Sequence, residues 1–158
     1  GFAVRLTVAA VGRFGTGRGA VERTLFDDYV KRLSQPFELR EVTEKRRLPA
    51  AQLRQREGTL LLAQVPKGAP VVALDAGGRV LSSPALAKRL DQWQSAGIRD
   101  LAFLIGGAEG LDAAVLERAD LVLSLGAMTW PHLLVRVLLA EQLYRAQCIQ
   151  AGHPYHRR

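Results

Sequence analysis

Apolar and polar residues follow two alternating patterns along the chain. Short runs rich in leucine and β-branched residues, typical of strands, are separated by longer segments in which apolar residues recur every three or four positions, as on one face of a helix. The strands are predicted at 4–11, 37–42, 70–75, 101–105 and 121–125, and the helices at 18–34, 49–64, 84–97, 113–119 and 131–150. This alternation predicts a three-layer α/β fold, with helices flanking a mainly parallel sheet. Such sheets bind ligands at the carboxyl ends of their strands.

Local signals refine several of these elements. The second predicted strand alternates between apolar and polar residues, which is typical of an edge or half-exposed strand. Gly77 and Gly78 are expected to end the third strand, and Ser83 and Asp112 to cap the helices that follow them. In the first helix, the apolar residues expected to form one buried stripe are Val21, Leu25, Phe26, Tyr29, Val30 and Leu33. In the second helix, which Gly58 weakens, the residues expected to face inward are Leu53, Leu60, Leu61 and Ala63.

Length and composition narrow the classes of protein. The chain has 158 residues, of which 48% are apolar and 23% charged, enough for a hydrophobic core within one domain spanning 1–158. Cys148 is the only cysteine, and a lone thiol fits a reducing compartment, so we expect a cytoplasmic protein. No apolar run approaches the ~20 residues that a membrane span requires, and residues 1–5 lack a signal-peptide pattern. We expect neither a metal nor a membrane as a partner.

The charge of the chain points to a polyanionic partner. Lys and Arg number 22 against 15 Asp and Glu, which gives a formal net charge of +7. Most of the cations are Arg, whose planar guanidinium forms paired hydrogen bonds to phosphate and stacks on bases. This balance favours nucleic acid, although the same charges could simply be solvated surface.

A glycine-rich segment between the first strand and the first helix suggests a different ligand. Gly15, Gly17 and Ala20 have the G-x-G-x-x-A spacing of a dinucleotide-binding loop, in which pyrophosphate meets the N–H groups of a helix start. A stretch with this many glycines matches many spacings by chance, however. The alternative is a flexible turn that touches phosphate through Arg13 and Arg18.

Small residues gather at the ends of three later strands, at 74–78, 105–110 and 125–132. Such residues let backbone amides come close to a ligand, while apolar side chains cover the faces of a flat base. Any one of these loops could be an ordinary turn between a strand and a helix. Together they predict a binding site at the carboxyl edge of the sheet.

Several motifs within these loops and near the end of the chain resemble one family. The segments 104–111, 123–132, 136–137, 141–146 and 153–157 are similar to the ribosomal RNA large subunit methyltransferase H family, of the SPOUT class. The resemblance implies a homodimeric enzyme that uses S-adenosylmethionine to methylate N3 of a pseudouridine in 23S rRNA of the assembled ribosome. It also implies a deep trefoil knot near the C-terminus. The implied cofactor-binding residues are Leu74, Gly106, Leu125, Gly126, Ala127, Met128, Thr129 and Trp130.

The implied reaction concerns the C-terminal tail, residues 153–158, which follows the last predicted helix. Pseudouridine N3 carries a proton when neutral, so either a base removes the proton or the site stabilises the anion. The catalytic candidates are His156 as base or hydrogen-bond partner, Arg157 as electrostatic support, and Tyr155 as a stacking or hydrogen-bonding group. His132 could face the cofactor loop or be structural, and Glu109 could contact substrate or cap the next helix.

Other features of the last helix concern assembly and alternatives. Arg136 and Arg145 share this helix with Glu141, and at least one of them is expected to form an intrahelical ion pair. The apolar positions of the helix exceed one narrow stripe, so it can pack on its own sheet and on a second subunit, whose tail would complete the pocket. The alternatives are a non-catalytic RNA- or ribosome-binding module and a nucleotide-dependent oxidoreductase based on Gly15 and Gly17.

Overall fold

The computed structural model describes residues 4–157, in which strands and helices alternate throughout. The strands are β1 (Arg5–Val11), β2 (Phe37–Val42), β3 (Val71–Val80), β4 (Asp100–Ile105) and β5 (Leu121–Ser124). The helices are α1 (Ala20–Lys31), α2 (Ala50–Leu62), α3 (Ser83–Ser95), α4 (Ala113–Arg118) and α5 (His132–Ala151). The predicted alternation is therefore confirmed. No helix within residues 4–157 combines the length and apolar character needed to cross a membrane.

The five strands form one parallel sheet in the order β2-β1-β4-β3-β5. The predicted α/β architecture and the edge position of β2 are confirmed. Successive β1 side chains point to opposite faces: Val8 lies in a cluster with Leu139 of α5, whereas Ala9 lies with Leu61 of α2 and Val115 of α4. Helices α1 and α3 pack against α5, so the sheet is covered on both faces. All carboxyl strand ends consequently meet at one edge of the sheet.

The prediction that β3 ends at Asp75 was wrong, because the strand continues through the glycine pair. The residues on either side of 75–78 both pair with Leu123 of β5, so this segment bulges out of the ladder. A Cβ atom on Gly78 would lie 2.6 Å from the carbonyl oxygen of Val122, a distance that side-chain-bearing residues do not tolerate. Gly78 therefore allows β3 to lie close to β5, and the glycine pair does not reverse the chain direction.

Helix α1 buries a narrower stripe than its sequence predicted. Phe26 is buried, but Val21 is 68% exposed and Leu25 is 44% exposed. The predicted burial of these two residues was wrong. Their apolar spacing shows that they share a face, and that face is directed away from the core of this chain.

Two further local predictions were wrong, the inward position of Ala63 and the cap at Ser83, and Gly58 has a role beyond its effect on helix stability. Gly58 does not merely weaken α2: a Cβ atom there would lie 3.1 Å from the side chain of Val115, so the glycine permits close packing of α2 on α4. Ala63, predicted to face inward, is exposed. Ser82 rather than Ser83 caps α3 by accepting a hydrogen bond from the Ala85 amide. The predicted cap at Asp112 is confirmed.

Candidate functional site

A cleft of about 610 Å³ opens between the bulge of β3, the ends of β4 and β5, and the start of α5. Its walls come from all three loops that the sequence singled out, together with the first turn of α5. The lining residues are Leu74, Asp75, Ala76, Ile105, Gly106, Gly107, Ala108, Glu109, Gly110, Leu111, Leu123, Leu125, Gly126, Met128, Thr129, Trp130, Pro131, His132 and Val135. The predicted convergence of these loops at the carboxyl edge is therefore confirmed.

Seven of the eight residues predicted for the cofactor lie around this cleft, and Ala127 is the one that does not line it. Five of these seven lie in the loop after β5, which turns at Gly126, whose φ of 112° favours glycine. The Ser124 hydroxyl fixes this turn by accepting from the Gly126 amide and donating to its carbonyl oxygen, both at 3.1 Å. Beyond the turn Met128 is 74% exposed, so the rim carries an apolar side chain without a protein partner over most of its surface.

The loop between β4 and α4 is drawn tightly against its surroundings. Gly107 and Gly110 form an isolated β-bridge, and a Cβ atom on Gly106 would lie 2.9 Å from the Gly110 carbonyl oxygen. A Cβ atom on Gly107 would lie 3.0 Å from the side chain of Val11. These glycines are therefore required by close backbone packing, which leaves main-chain groups on the wall of the cleft.

Carboxylates stand near the cleft although the chain as a whole is basic. Asp75 and Glu109 line it, and no Lys or Arg is among its lining residues. Beneath the loop, Glu57 is only 8% exposed and its Oε1 atom has no hydrogen-bond partner. Burial, followed by the charge of Glu109, raises the pKa of Glu57. The cleft thus suits a ligand with apolar rings and positive charge.

Arg136 was missed as a structural centre by sequence reasoning. Its side chain is fully buried, forms a 2.6 Å ion pair with Glu41, and donates to the carbonyl oxygens of Val11 and Gly12. The guanidinium also stacks over the ring of Phe14 at 4.5 Å. Burial acts to raise the pKa of Glu41, but hydrogen bonds from Arg136 and the Phe14 amide outweigh it, so the pKa is lowered overall. Arg136 thereby fixes α5 to the end of β1, one turn beyond His132.

The glycine-rich loop after β1 serves this packing. A Cβ atom on Gly19 would lie 1.7 Å from the Phe14 carbonyl oxygen, so close packing requires glycine there, and Gly15 has a φ of 70° that favours glycine. A Cβ atom on Gly15 or Gly17 would meet nothing within 4 Å. A dinucleotide-binding fold has an acidic residue about 20 positions downstream that binds the ribose, but Glu41, which lies near that spacing, is bound to Arg136 instead. The loop geometry does not support the dinucleotide interpretation.

The predicted catalytic tail lies at the other end of α5. Gly152 ends the helix with a φ of 70°, and the chain turns back along its last turns. The hydroxyl of Tyr155 donates to Glu141 at 3.1 Å, and its ring meets that of Tyr144 edge-on. Arg145 forms the expected intrahelical ion pair with Glu141, at 2.6 Å. Burial is the main reason that the pKa of Tyr155 is raised, so this phenol stays protonated at neutral pH.

The same cluster orients His156. An Nη atom of Arg145 lies 3.1 Å from Nδ1 of His156. Because a guanidinium can only donate, Nδ1 is the acceptor and the ring proton sits on Nε2. Arg157 is exposed beside it. In this arrangement the imidazole is a hydrogen-bond donor through Nε2 rather than a free base.

Cleft and tail are separated within one chain. None of Tyr155, His156 and Arg157 lines the cleft. Helix α5 has 20 residues, so its ends are about 30 Å apart. The structure therefore brings together the predicted cofactor residues and, elsewhere, the predicted catalytic residues, but it does not bring the two groups together. Within residues 4–157 no three His, Cys, Asp or Glu side chains form a group that could hold a metal ion.

Comparisons with known proteins agree with this architecture. A family model described as "Predicted SPOUT methyltransferase" matches residues 4–156. The chain is 57% identical over 154 residues to a "Ribosomal RNA large subunit methyltransferase H" of Paramagnetospirillum magneticum, an alignment that covers 98% of this chain and 99% of the relative. A protein with the same name in Rhodospirillum rubrum is 56% identical with the same coverage. A probable methylase family protein from Haemophilus influenzae Rd KW20 has a similar fold, with a TM-score of 0.56 at 13% identity over 98% of this chain and 70% of that one.

Proposed function

The chain belongs to the SPOUT methyltransferase family, and we propose that it methylates N3 of a pseudouridine in 23S rRNA of the assembled ribosome, with S-adenosylmethionine as the methyl donor. The observation that carries this proposal is the convergence of three glycine-containing loops on one cleft at the carboxyl edge of a parallel sheet. Close relatives named for a ribosomal RNA methyltransferase activity support the choice of RNA.

The residues around the cleft fit this donor. Leu74, Ile105 and Leu125 offer apolar surface for an adenine ring, and the glycine loops offer main-chain hydrogen bonds. Asp75 and Glu109 offer negative charge to the sulfonium and ammonium groups. The bound donor supplies a methyl group activated by its attachment to positively charged sulfur. The cleft volume of about 610 Å³ lies within the usual range of small-molecule sites.

We propose that the tail stabilises the deprotonated pseudouridine rather than removing its proton with a strong base. The Nε2–H of His156 is free to donate to a carbonyl oxygen beside N3, and Arg157 supplies positive charge. Both interactions favour the anion, whose N3 electron pair would form the new bond to the methyl carbon as the carbon–sulfur bond of the donor breaks and S-adenosylhomocysteine leaves, while the proton passes to solvent. Tyr155 holds the tail in place through Glu141 and Tyr144.

The distance between cleft and tail supports a composite site in a homodimer. We propose that the tail of one subunit reaches the cleft of its partner, because the two cannot meet within one chain. The exposed Val21 and Leu25 on α1, which packs beside α5, supply apolar surface for subunit contact. A C-terminal trefoil knot and a cytoplasmic location remain parts of the same proposal.

Mixed dimers test the composite site directly. Subunits carrying Gly106→Val, which obstructs the cleft, are combined with subunits carrying His156→Ala, which alters the tail. When equal amounts of the two subunits pair at random, about half of the dimers are mixed. If each site uses residues from both subunits, one of the two sites in a mixed dimer is intact, so about a quarter of the wild-type activity returns. Activity is measured as methyl transfer to intact ribosomes with naked rRNA as comparison. No recovery would place cleft and tail in the same subunit, and binding to ribosomes without any methyl transfer by the wild-type protein would favour a pure binding module.

A further inference from the structure

We propose that a basic surface at the corner of the sheet where β1 and β2 end binds the phosphate backbone of the rRNA and positions the target base at the cleft. This inference rests on the proposed function and adds the surface that grips the substrate. We define the basic surface as Arg13, Arg18, Lys45, Arg46, Arg47 and Arg56.

The strand pairing brings the two loops of this surface together. The Gly12 amide donates to the Val42 carbonyl oxygen at 2.8 Å, which joins the ends of β1 and β2. The loop with Arg13 and Arg18 and the loop with Lys45 and Arg47 therefore leave the sheet side by side. These four cations are exposed, and within residues 4–157 they have no ion pair.

A single carboxylate organises the second loop. Glu44 accepts from the amide and Nε of Arg46 and from Nε of Arg56, at 3.1, 2.8 and 2.9 Å. The side chain of Glu44 is only 8% exposed, and the hydrogen bonds from Arg46 lower its pKa to about 2. Glu44 therefore ties the loop internally and to α2, while Arg46 and Arg56 keep exposed side chains. Ordered cations lose less conformational entropy when they bind phosphate.

Few carboxylates neutralise this corner: Glu22, in the first turn of α1, is half-buried and forms no ion pair within residues 4–157. Glu41 is held by the buried Arg136, and the first turn of α2 contains no acidic residue. Near the amino edge of the sheet, three arginines face carboxylates: Arg5 pairs with Asp100, Arg40 with Glu38, and Arg118 with Asp120. The four unpaired cations of the basic surface instead lie together on the edge that also carries the cleft.

The basic surface reaches the rim of the cleft. A Cβ atom on Gly12 would lie 3.6 Å from Nε2 of His132, and His132 lines the cleft. An RNA strand lying along this edge could place phosphates on the basic surface while one base enters the cleft. The cleft itself contains no Lys or Arg among its lining residues, so backbone binding and base binding use separate regions.

The test uses two matched double variants of the full-length protein. Lys45→Ala with Arg47→Ala removes two unpaired cations from the basic surface, whereas Lys67→Ala with Lys88→Ala removes two exposed cations from other parts of the chain. Affinity for intact ribosomes and for a 23S rRNA fragment is measured from about 0.05 to 0.3 M KCl. We expect the first pair to weaken binding about tenfold to thirtyfold near 0.15 M salt and to reduce the slope of log K against log salt by about 1 to 2. The control pair should change neither quantity appreciably.

Calorimetry with S-adenosylmethionine separates this inference from the proposed function. The Lys45/Arg47 variant should bind the donor as the wild-type protein does. Equal losses of RNA affinity in both double variants, or none in either, would overturn the docking surface while leaving the methyltransferase intact. Loss of binding to anionic lipid vesicles in the Lys45/Arg47 variant, with unchanged RNA affinity, would reassign the surface to a membrane and overturn the inference. A wild-type protein that binds no ribosomes would overturn the inference and the proposed substrate together.

Discussion

The two ends of α5 carry the two halves of the proposed site, and they are built by different interactions. At its start, glycine turns and the buried Arg136 shape a cleft whose walls are largely main chain and apolar side chains. At its end, the tail is held by charged and aromatic side chains around Glu141 and Tyr155. One chain therefore supplies both proposed components but leaves them apart, and in the proposed homodimer a second chain brings them together.

The largest expected effect comes from the tail. Replacing His156 with Ala removes the donor oriented by Arg145, and we expect methyl transfer to ribosomes to fall by about 100-fold or more. Affinity for S-adenosylmethionine, measured by calorimetry, should change little because His156 does not line the cleft of its own chain. Lys88→Ala, an exposed change on α3, is a control for general perturbation. A parallel loss of donor binding would contradict the separation of the two ends.

The next largest effect concerns the structural centre at the start of α5. Arg136→Met leaves Glu41 without its partner and removes two hydrogen bonds to backbone carbonyls, so we expect the free energy of unfolding to fall by about 3 kcal/mol. Urea denaturation measures this loss. Adding Glu41→Gln to the variant should recover part of the stability, since it removes the stranded charge. If the double variant lost more free energy of unfolding than the two single variants lose together, the ion pair would not be the source of the effect.

A third prediction concerns the glycine wall of the cleft. The added Cβ of Gly106→Val would lie 2.9 Å from the Gly110 carbonyl oxygen, so the loop must shift, and we expect affinity for S-adenosylmethionine to fall by about 100-fold. Gly17→Ala is the matched control, because a Cβ atom there meets nothing within 4 Å. Equal effects of the two substitutions on donor binding would revive a role for the loop after β1.

The smallest effect is a change in pH dependence beneath the cleft. Burial and Glu109 raise the pKa of Glu57 in the folded protein, so its contribution to stability is greatest below the pKa of the unfolded chain and is lost as pH rises through the folded value. Glu57→Gln should therefore become more stable relative to wild type as pH increases from about 4 to 8, as followed by urea unfolding. Glu117→Gln, an exposed change of the same charge, should give a curve parallel to wild type. Parallel curves for both variants would show that the Glu57 carboxyl is not desolvated.

Much of the fold follows from local pattern. The strands and helices were predicted within a few residues because apolar period and turn residues depend on neighbours along the chain, as at the cap formed by Asp112. Burial was less predictable. Val21 and Leu25 satisfy a helical stripe but face away from the core, and Gly78 resembles a strand end although it lies inside β3. These outcomes depend on the surface that packs opposite, which periodicity does not specify.

For the candidate site, sequence alone selected the loops of the cleft and the chemically capable tail, because small residues at strand ends and motifs of known type are visible without coordinates. Tertiary structure decided which groups meet. Arg136 reaches backbone oxygens 124 and 125 residues away, and Glu41 and Arg136 are 95 residues apart in the chain. The tail folds back on its own helix rather than into its own cleft. Local sequence patterns indicate whether a segment tends to form a helix or a strand. Contacts between residues far apart in the chain form only when the elements pack around a common core.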